Sequence, residues 1–129
     1  MKSRRKFIKK VALVSATTSM PMVLMANQAV EDKMIHQVFF WLNEGEDVEN
    51  FMREASVLGK CPTVAKFFIG QPAPTEARDV VDHSYQVACT LFFKSLEDQS
   101  AYQVEPKHLE FIERNSAKWN KVKVYDFMI

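Results

Sequence analysis

The sequence predicts an α+β domain in the order strand, helix, strand, strand, helix, strand, set behind a leader that is not part of the fold. Three observations predict it. Residues 34–42, "MIHQVFFWL", and 84–93, "SYQVACTLFF", are short apolar runs rich in aromatic and β-branched side chains, as in buried strands. Residues 48–58, "VENFMREASVL", place Val48, Phe51, Met52, Ala55 and Leu58 at helical spacing between them. The first 29 residues hold six Lys and Arg and no acid, with "SRRKFIKK" running into the polar-flecked apolar stretch "VALVSATTSMPMVLMA". That is the layout of a targeting signal.

Within the leader, Ser3, Arg4, Arg5, Phe7, Ile8 and Lys9 stand where a twin-arginine signal places them. The expectation is a signal peptide over 1–29, export to the periplasm or another extracytoplasmic space, and cleavage after Ala26 or Ala29. The apolar run falls short of the ~20 apolar residues that a span needs, so no stable membrane anchor is expected after cleavage. No Cys follows it, which speaks against a lipid anchor. Removing the leader changes the charge. The chain has 17 basic and 16 acidic residues; without the leader's six basic ones the remainder carries 11 against 16, a net of −5 with His neutral. An acidic domain without a basic stripe is not a nucleic-acid partner.

The remaining elements follow in order. "NEGED" turns the chain into the first helix, and Gly59 with Pro62 beyond it marks the helix end. "TVAKFFIG", 63–70, is the second strand. Residues 71–83, "QPAPTEARDVVDH", have two prolines and no periodicity, and a loop of this length is expected to cover a site. Strand three follows at 84–93. Ser95 and Asp98 have the spacing of a capped helix start, and Pro106 interrupts the helix they open. "VKVYDFMI" closes the chain as strand four. This is the ferredoxin-like βαββαβ order, an antiparallel sheet with helices on one face.

The strands do not alternate apolar with polar. Phe39–Phe40–Trp41, Phe67–Phe68–Ile69 and Leu91–Phe92–Phe93 are consecutive, so both sheet faces are apolar. One face packs under the helices; a second copy of the chain is the expected cover for the other. The predicted assembly is therefore a homodimer. Cys61 and Cys89 lack metal or redox spacing, and Cys89 alternates with Val87 and Leu91 as a buried thiol would. With three glycines there is no phosphate-binding loop, and neither a cofactor nor a metal ion is expected.

The candidate site lies at the helix break. In an unbroken helix Tyr102 and His108 would stand roughly 120° apart around the axis and could not share a pocket. Pro106 stops the helix and restarts it as a first-turn proline, so the re-aimed axis can turn both side chains to one space. His108 then falls near the positive end of the new helix, which favours neutral imidazole. Glu105 is most simply the cap of that helix, and His83 a solvated loop residue. Tyr102 and His108 can equally be residues edging the core.

The strands "MIHQVFFWLN" and "SYQVACTLFFKS", the segment "AYQVEPKHLEFIE" and the closing "VYDF" together resemble the stress-response A/B barrel domain (Dabb) family over about residues 34–127. The Tyr102, Pro106 and His108 spacing, with His36 in strand one and Asp126–Phe127 near the end, is the most specific part. Glu105 departs from the histidine that often precedes this proline. The resemblance implies a dimeric α+β barrel, and His36, Tyr102 and His108 as catalytic or binding residues. Three readings are open: an exported dimer binding a small apolar molecule in a pocket between helices and sheet, to which the apolar strands, the Tyr102–His108 pair and the loop 71–83 point; a cyclase- or lyase-like enzyme with His108 as general base; or a structural stress-related dimer without chemistry. Haem-degrading and quinol-type monooxygenases share the architecture, although no haem motif is present.

Overall fold

A computed structural model describes residues 32–129. The predicted signal peptide lies outside the described residues. Four strands, β1 (Met34–Leu42), β2 (Lys66–Gly70), β3 (Val87–Phe93) and β4 (Trp119–Met128), form one antiparallel sheet in the order β2-β3-β1-β4. Three helices, α1 (Val48–Ala55), α2 (Leu96–Gln103) and α3 (Pro106–Asn115), complete the ferredoxin-like α+β fold. No helix among the described residues is long and apolar enough to cross a membrane.

Local chemistry sets the element ends. Gly45 takes φ +90°, a left-handed turn conformation that side chains resist, just before Asp47 caps α1 by accepting from the Asn50 N–H. Ser95 caps α2 in the same way, accepting from the Asp98 N–H. Gly59 does not end a helix as expected. It sits within a 3₁₀ segment, Ser56–Lys60, that continues α1, and a Cβ there would lie 2.8 Å from the Phe67 ring. The glycine is a point of close approach, where this segment passes over β2.

Strands β1 and β3 alternate buried and half-buried residues along their whole lengths. Met34, Val38, Phe40 and Leu42 from β1 and Val87, Cys89, Leu91 and Phe93 from β3 form the buried row under the helices. Phe51, Phe111 and Trp119 pack on Phe40, with Phe40–Phe51 ring centroids 5.0 Å apart. Each such buried aromatic contributes roughly 1.5–3 kcal/mol. Asn115, fully buried, donates to the Phe111 carbonyl and to Glu54, and Arg114 forms a two-pronged ion pair with Glu54, tying α3 to α1.

Two expectations need correction. The helices do not seal the whole of one sheet face: they lie over β1 and β3, and the inward row of β4 (Val122, Val124, Met128) stays exposed. The cause is position, since β4 is the edge strand added beyond β1. The loop 71–83 also does not cover the predicted site. The segment that follows it is held on the opposite sheet face, where the Trp41 indole donates to the Ser84 hydroxyl at 2.9 Å. His83 accepts or donates within the loop, 2.8 Å from the Thr75 hydroxyl.

Candidate functional site

The chain's break at Pro106 does what its chemistry dictates. α2 ends at Gln103, Glu105 takes an extended conformation and caps α3 by accepting from the Lys107 N–H, and Pro106 is the first residue of α3. His108 is thereby brought over Tyr102, with ring centroids 4.4 Å apart. His36 approaches the same tyrosine from β1, at 5.9 Å. All three line one cavity of about 190 Å³ between the helices and the β1–β4 half of the sheet. Apart from Gln103, its other walls are apolar, among them Val38 and Phe40 from β1, Val122 and Val124 from β4, and Phe111 and Ile112 from α3. The bare inward row of β4 is therefore the open flank of this cavity.

Each polar group has a definable state. The Nδ1 of His36 lies 2.5 Å from an Asp126 carboxylate oxygen. A carboxylate only accepts, so Nδ1 carries a hydrogen and Nε2 is the ring nitrogen left for the cavity. The Nδ1 of His108 lies 3.1 Å from the Gln103 carbonyl, which fixes the same tautomer. Burial holds the His108 pKa below its ordinary value; the Gln103 carbonyl opposes this, His36 adds to it and Glu105 opposes it. The shift is in the direction expected from the helix end, with desolvation as its leading cause. Tyr102 is fully buried, and no hydrogen bond engages its hydroxyl among the described residues. Burial above all pushes its pKa up, so the phenol keeps its proton and is a donor.

Cys61 and Cys89 are both buried and unbridged, and burial pushes each thiol up to about 12. They are protonated and unreactive. No cluster of three or more His, Cys, Asp or Glu side chains among the described residues is placed to hold a metal ion. A second groove, about 250 Å³ between α1 and α3, is lined by Arg53, Glu54, Lys107, Glu110 and Arg114. Glu54 and Arg114 neutralise one another across it.

A family model described as the stress responsive A/B barrel domain matches residues 34–129. The chain belongs to the stress responsive A/B barrel domain family. No curated protein matches the sequence significantly. Among solved structures, the A/B barrel fold is shared with a hydroxynitrile lyase from Passiflora edulis at 16% identity and a TM-score of 0.64, covering 77% of this chain and 94% of that one. A dimeric ferredoxin-like protein of unknown function from Thermobifida fusca aligns at 18% identity and a TM-score of 0.62, over 75% of this chain and 91% of that one. A dabb family protein with a ferredoxin-like fold from Mesorhizobium loti aligns at 20% identity and 0.59, over 74% and 95%. At these identities the likeness is one of fold.

Within this A/B barrel the sequence reading named His36, Tyr102 and His108 and missed their supports. Asp126 entered only as part of the closing pattern, yet it is the partner of His36. The signal was the strand register: His36 and Asp126 are paired opposite one another on β1 and β4, and opposed residues share a face. The apolar walls from β4 carried the same signal through their alternation.

Proposed function

We propose that this A/B barrel protein is an exported homodimer that binds one small, mainly apolar molecule bearing a carbonyl or hydroxyl group in the cavity between helices and sheet. The observation that carries it is the buried Tyr102 hydroxyl, without a hydrogen-bond partner among the described residues, beside two imidazoles in a mainly apolar cavity. Leaving such a group unsatisfied costs about 1–3 kcal/mol, a cost that a ligand oxygen accepting from Tyr102 would remove. With Nδ1 turned to Asp126, His36 offers Nε2 to a ligand hydroxyl, and Tyr102 is the donor to a carbonyl. A cavity of about 190 Å³ suits a molecule of one ring with short substituents, since a cavity of about 150 Å³ holds benzene. Titration with single-ring aryl ketones and phenols, followed by the imidazole signals of His36 and His108, tests the reading. Saturable shifts that weaken in Tyr102→Phe support it; no response to any member of the series removes it and leaves a dimer without chemistry.

A second reading is favoured by one observation. His108 is neutral, half-buried and has its Nδ1 occupied, so Nε2 is free to take a proton. Next to a phenol that stays protonated, this is an acid–base pair suited to cyclase- or lyase-type chemistry: Nε2 removes a proton from carbon or oxygen while Tyr102 donates to the oxygen that gains charge. The Passiflora neighbour is named as a lyase, which supports an enzymatic use of this fold without assigning one here. Turnover of a poly-β-keto substrate or a cyanohydrin, lost in His108→Ala while the fold persists, would establish the enzyme; turnover retained in that variant, or no turnover in the parent, would contradict it.

The dimer rests on the outer sheet face, where Phe68 is 60% exposed beside Phe92, Ile35 and Phe127, and on the dimeric description of the Thermobifida neighbour. Export rests on Arg4 and Arg5. Replacing both with Lys is expected to leave precursor in the cytoplasm; undiminished export would favour an ordinary secretory route.

A further inference from the structure

Gln103 follows Tyr102 in the chain and joins it in lining the cavity, but at a different depth: Tyr102 is fully buried, while Gln103 is exposed at the rim. It is the last residue of α2, so its carbonyl has no partner further along that helix. His108 engages that carbonyl through Nδ1. The side-chain oxygen is engaged as well. Gln99, one turn back on the same helix, donates its Nε2 to the Gln103 Oε1 at 2.7 Å. The side-chain Nε2 of Gln103, a donor only, is left without a partner among the described residues.

The cavity thus has the Tyr102 hydroxyl as a donor inside and the Gln103 amide as a donor at its rim. Among the described residues no Lys or Arg lines it, and the Asp126 carboxylate is spent on His36. A ligand carrying a carboxylate would find no counterion there, whereas a neutral oxygen would find a donor. The Trp119 indole also lines the cavity, but its ring is packed among Phe40, Phe51 and Phe111.

We propose that Gln103 is a specificity-determining residue: its Nε2 donates to a second oxygen of the ligand. The cavity then selects single-ring molecules with two neutral acceptor oxygens, one for Tyr102 and one for the rim. This rests on the reading of the cavity as a ligand site and adds which members of that class are preferred. An exposed amide only exchanges a water for the ligand oxygen, so the discrimination it supplies is about three- to tenfold.

The test compares meta- and para-diacetylbenzene with meta- and para-isopropylacetophenone, which keep the shape and lack the second carbonyl. Affinities come from the His36 and His108 imidazole signals, and the Gln103 side-chain amide signals report contact at the rim. Gln103→Glu keeps an oxygen for Gln99 and replaces the donor with an acceptor, while Gln103→Met keeps the length and removes both. Both changes fall on an exposed side chain and retain the carbonyl that holds His108, and thermal unfolding at the parent's temperature verifies the fold. In the parent, at least one diacetyl isomer should shift the Gln103 amide saturably, and its isopropyl counterpart should not. The ratio of the two affinities within that pair should fall about three- to tenfold in each variant, with the isopropyl ketone's own affinity little changed. A Gln103 amide unmoved by both diacetyl isomers, or a ratio unchanged in both variants, overturns the role of Gln103 and leaves the ligand site standing. A shift of the Trp119 indole signal in place of the Gln103 amide overturns it too, and assigns the second oxygen to the indole. No saturable response to any of these ketones removes the role of Gln103 together with the carbonyl site on which it rests.

Discussion

Tyr102 is the residue on which the proposed ligand site turns. Its ring is packed by Phe93 and His108, but its hydroxyl is buried without a partner among the described residues. Tyr102→Phe is therefore expected to leave stability unchanged or raise it by up to about 1 kcal/mol, since it deletes an unsatisfied group and keeps the ring. Ligand binding should weaken at the same time. Chemical denaturation and binding measured on the same preparation check both halves, and a loss of stability with intact binding would show that the hydroxyl serves the fold. His108 gives a pH dependence with a definite sign. Its folded pKa is depressed, so it contributes stability that is fully present above its unfolded value of about 6.5 and is lost as pH falls through the lower folded value. In His108→Phe the fall in stability just below that pH should be shallower than in the parent, as followed by denaturant midpoints. Asp126 shows why this scale was only partly legible. His36 and Asp126 are 90 positions apart, and no local pattern joins them until the register of β1 and β4 is known.

At the scale of elements, the helix break was legible because its cause is local. Proline's missing N–H and clashing ring act on neighbours in sequence, so Pro106, Glu105 and the re-aimed His108 follow from the residues themselves. The lateral reach of the helix layer is not local: whether β4 is covered depends on which strand it pairs with. Gly59 fails for the same reason. A glycine after a helical run signals a stop, yet here the ring of Phe67, across the chain turn, is what forbids a side chain. Gly59→Ala is expected to cost about 1–3 kcal/mol by overpacking against that ring. The combination with Phe67→Leu should recover part of the loss, because a smaller side chain then faces the new methyl. Thermal unfolding of the two single variants and the double variant reads this directly, and a Gly59→Ala chain as stable as the parent would show that the segment can move away.

The described residues form one sheet with two unequal faces. The helix face carries the core and the Tyr102 cavity; the outer face presents Phe68, Phe92, Phe127 and Tyr125. Each large aromatic left in water forgoes roughly 1.5–3 kcal/mol, a sizeable part of the ~5–15 kcal/mol that holds a domain folded. Sedimentation is expected to show a dimer at micromolar concentration, and Phe68→Glu with Phe127→Lys should shift it toward monomer without melting the buried core. A well-folded monomer in the parent would mean that the outer face has another cover. The central claim, though, is that the cavity at the helix break receives a ligand oxygen. Its most direct measurement is the response of the His36 and His108 imidazole signals to single-ring aryl ketones and phenols in the parent protein and in Tyr102→Phe. The account predicts saturable shifts of both imidazoles in the parent, with affinity reduced in the variant; unmoved imidazoles across the series, or equal affinity in the two proteins, would contradict it.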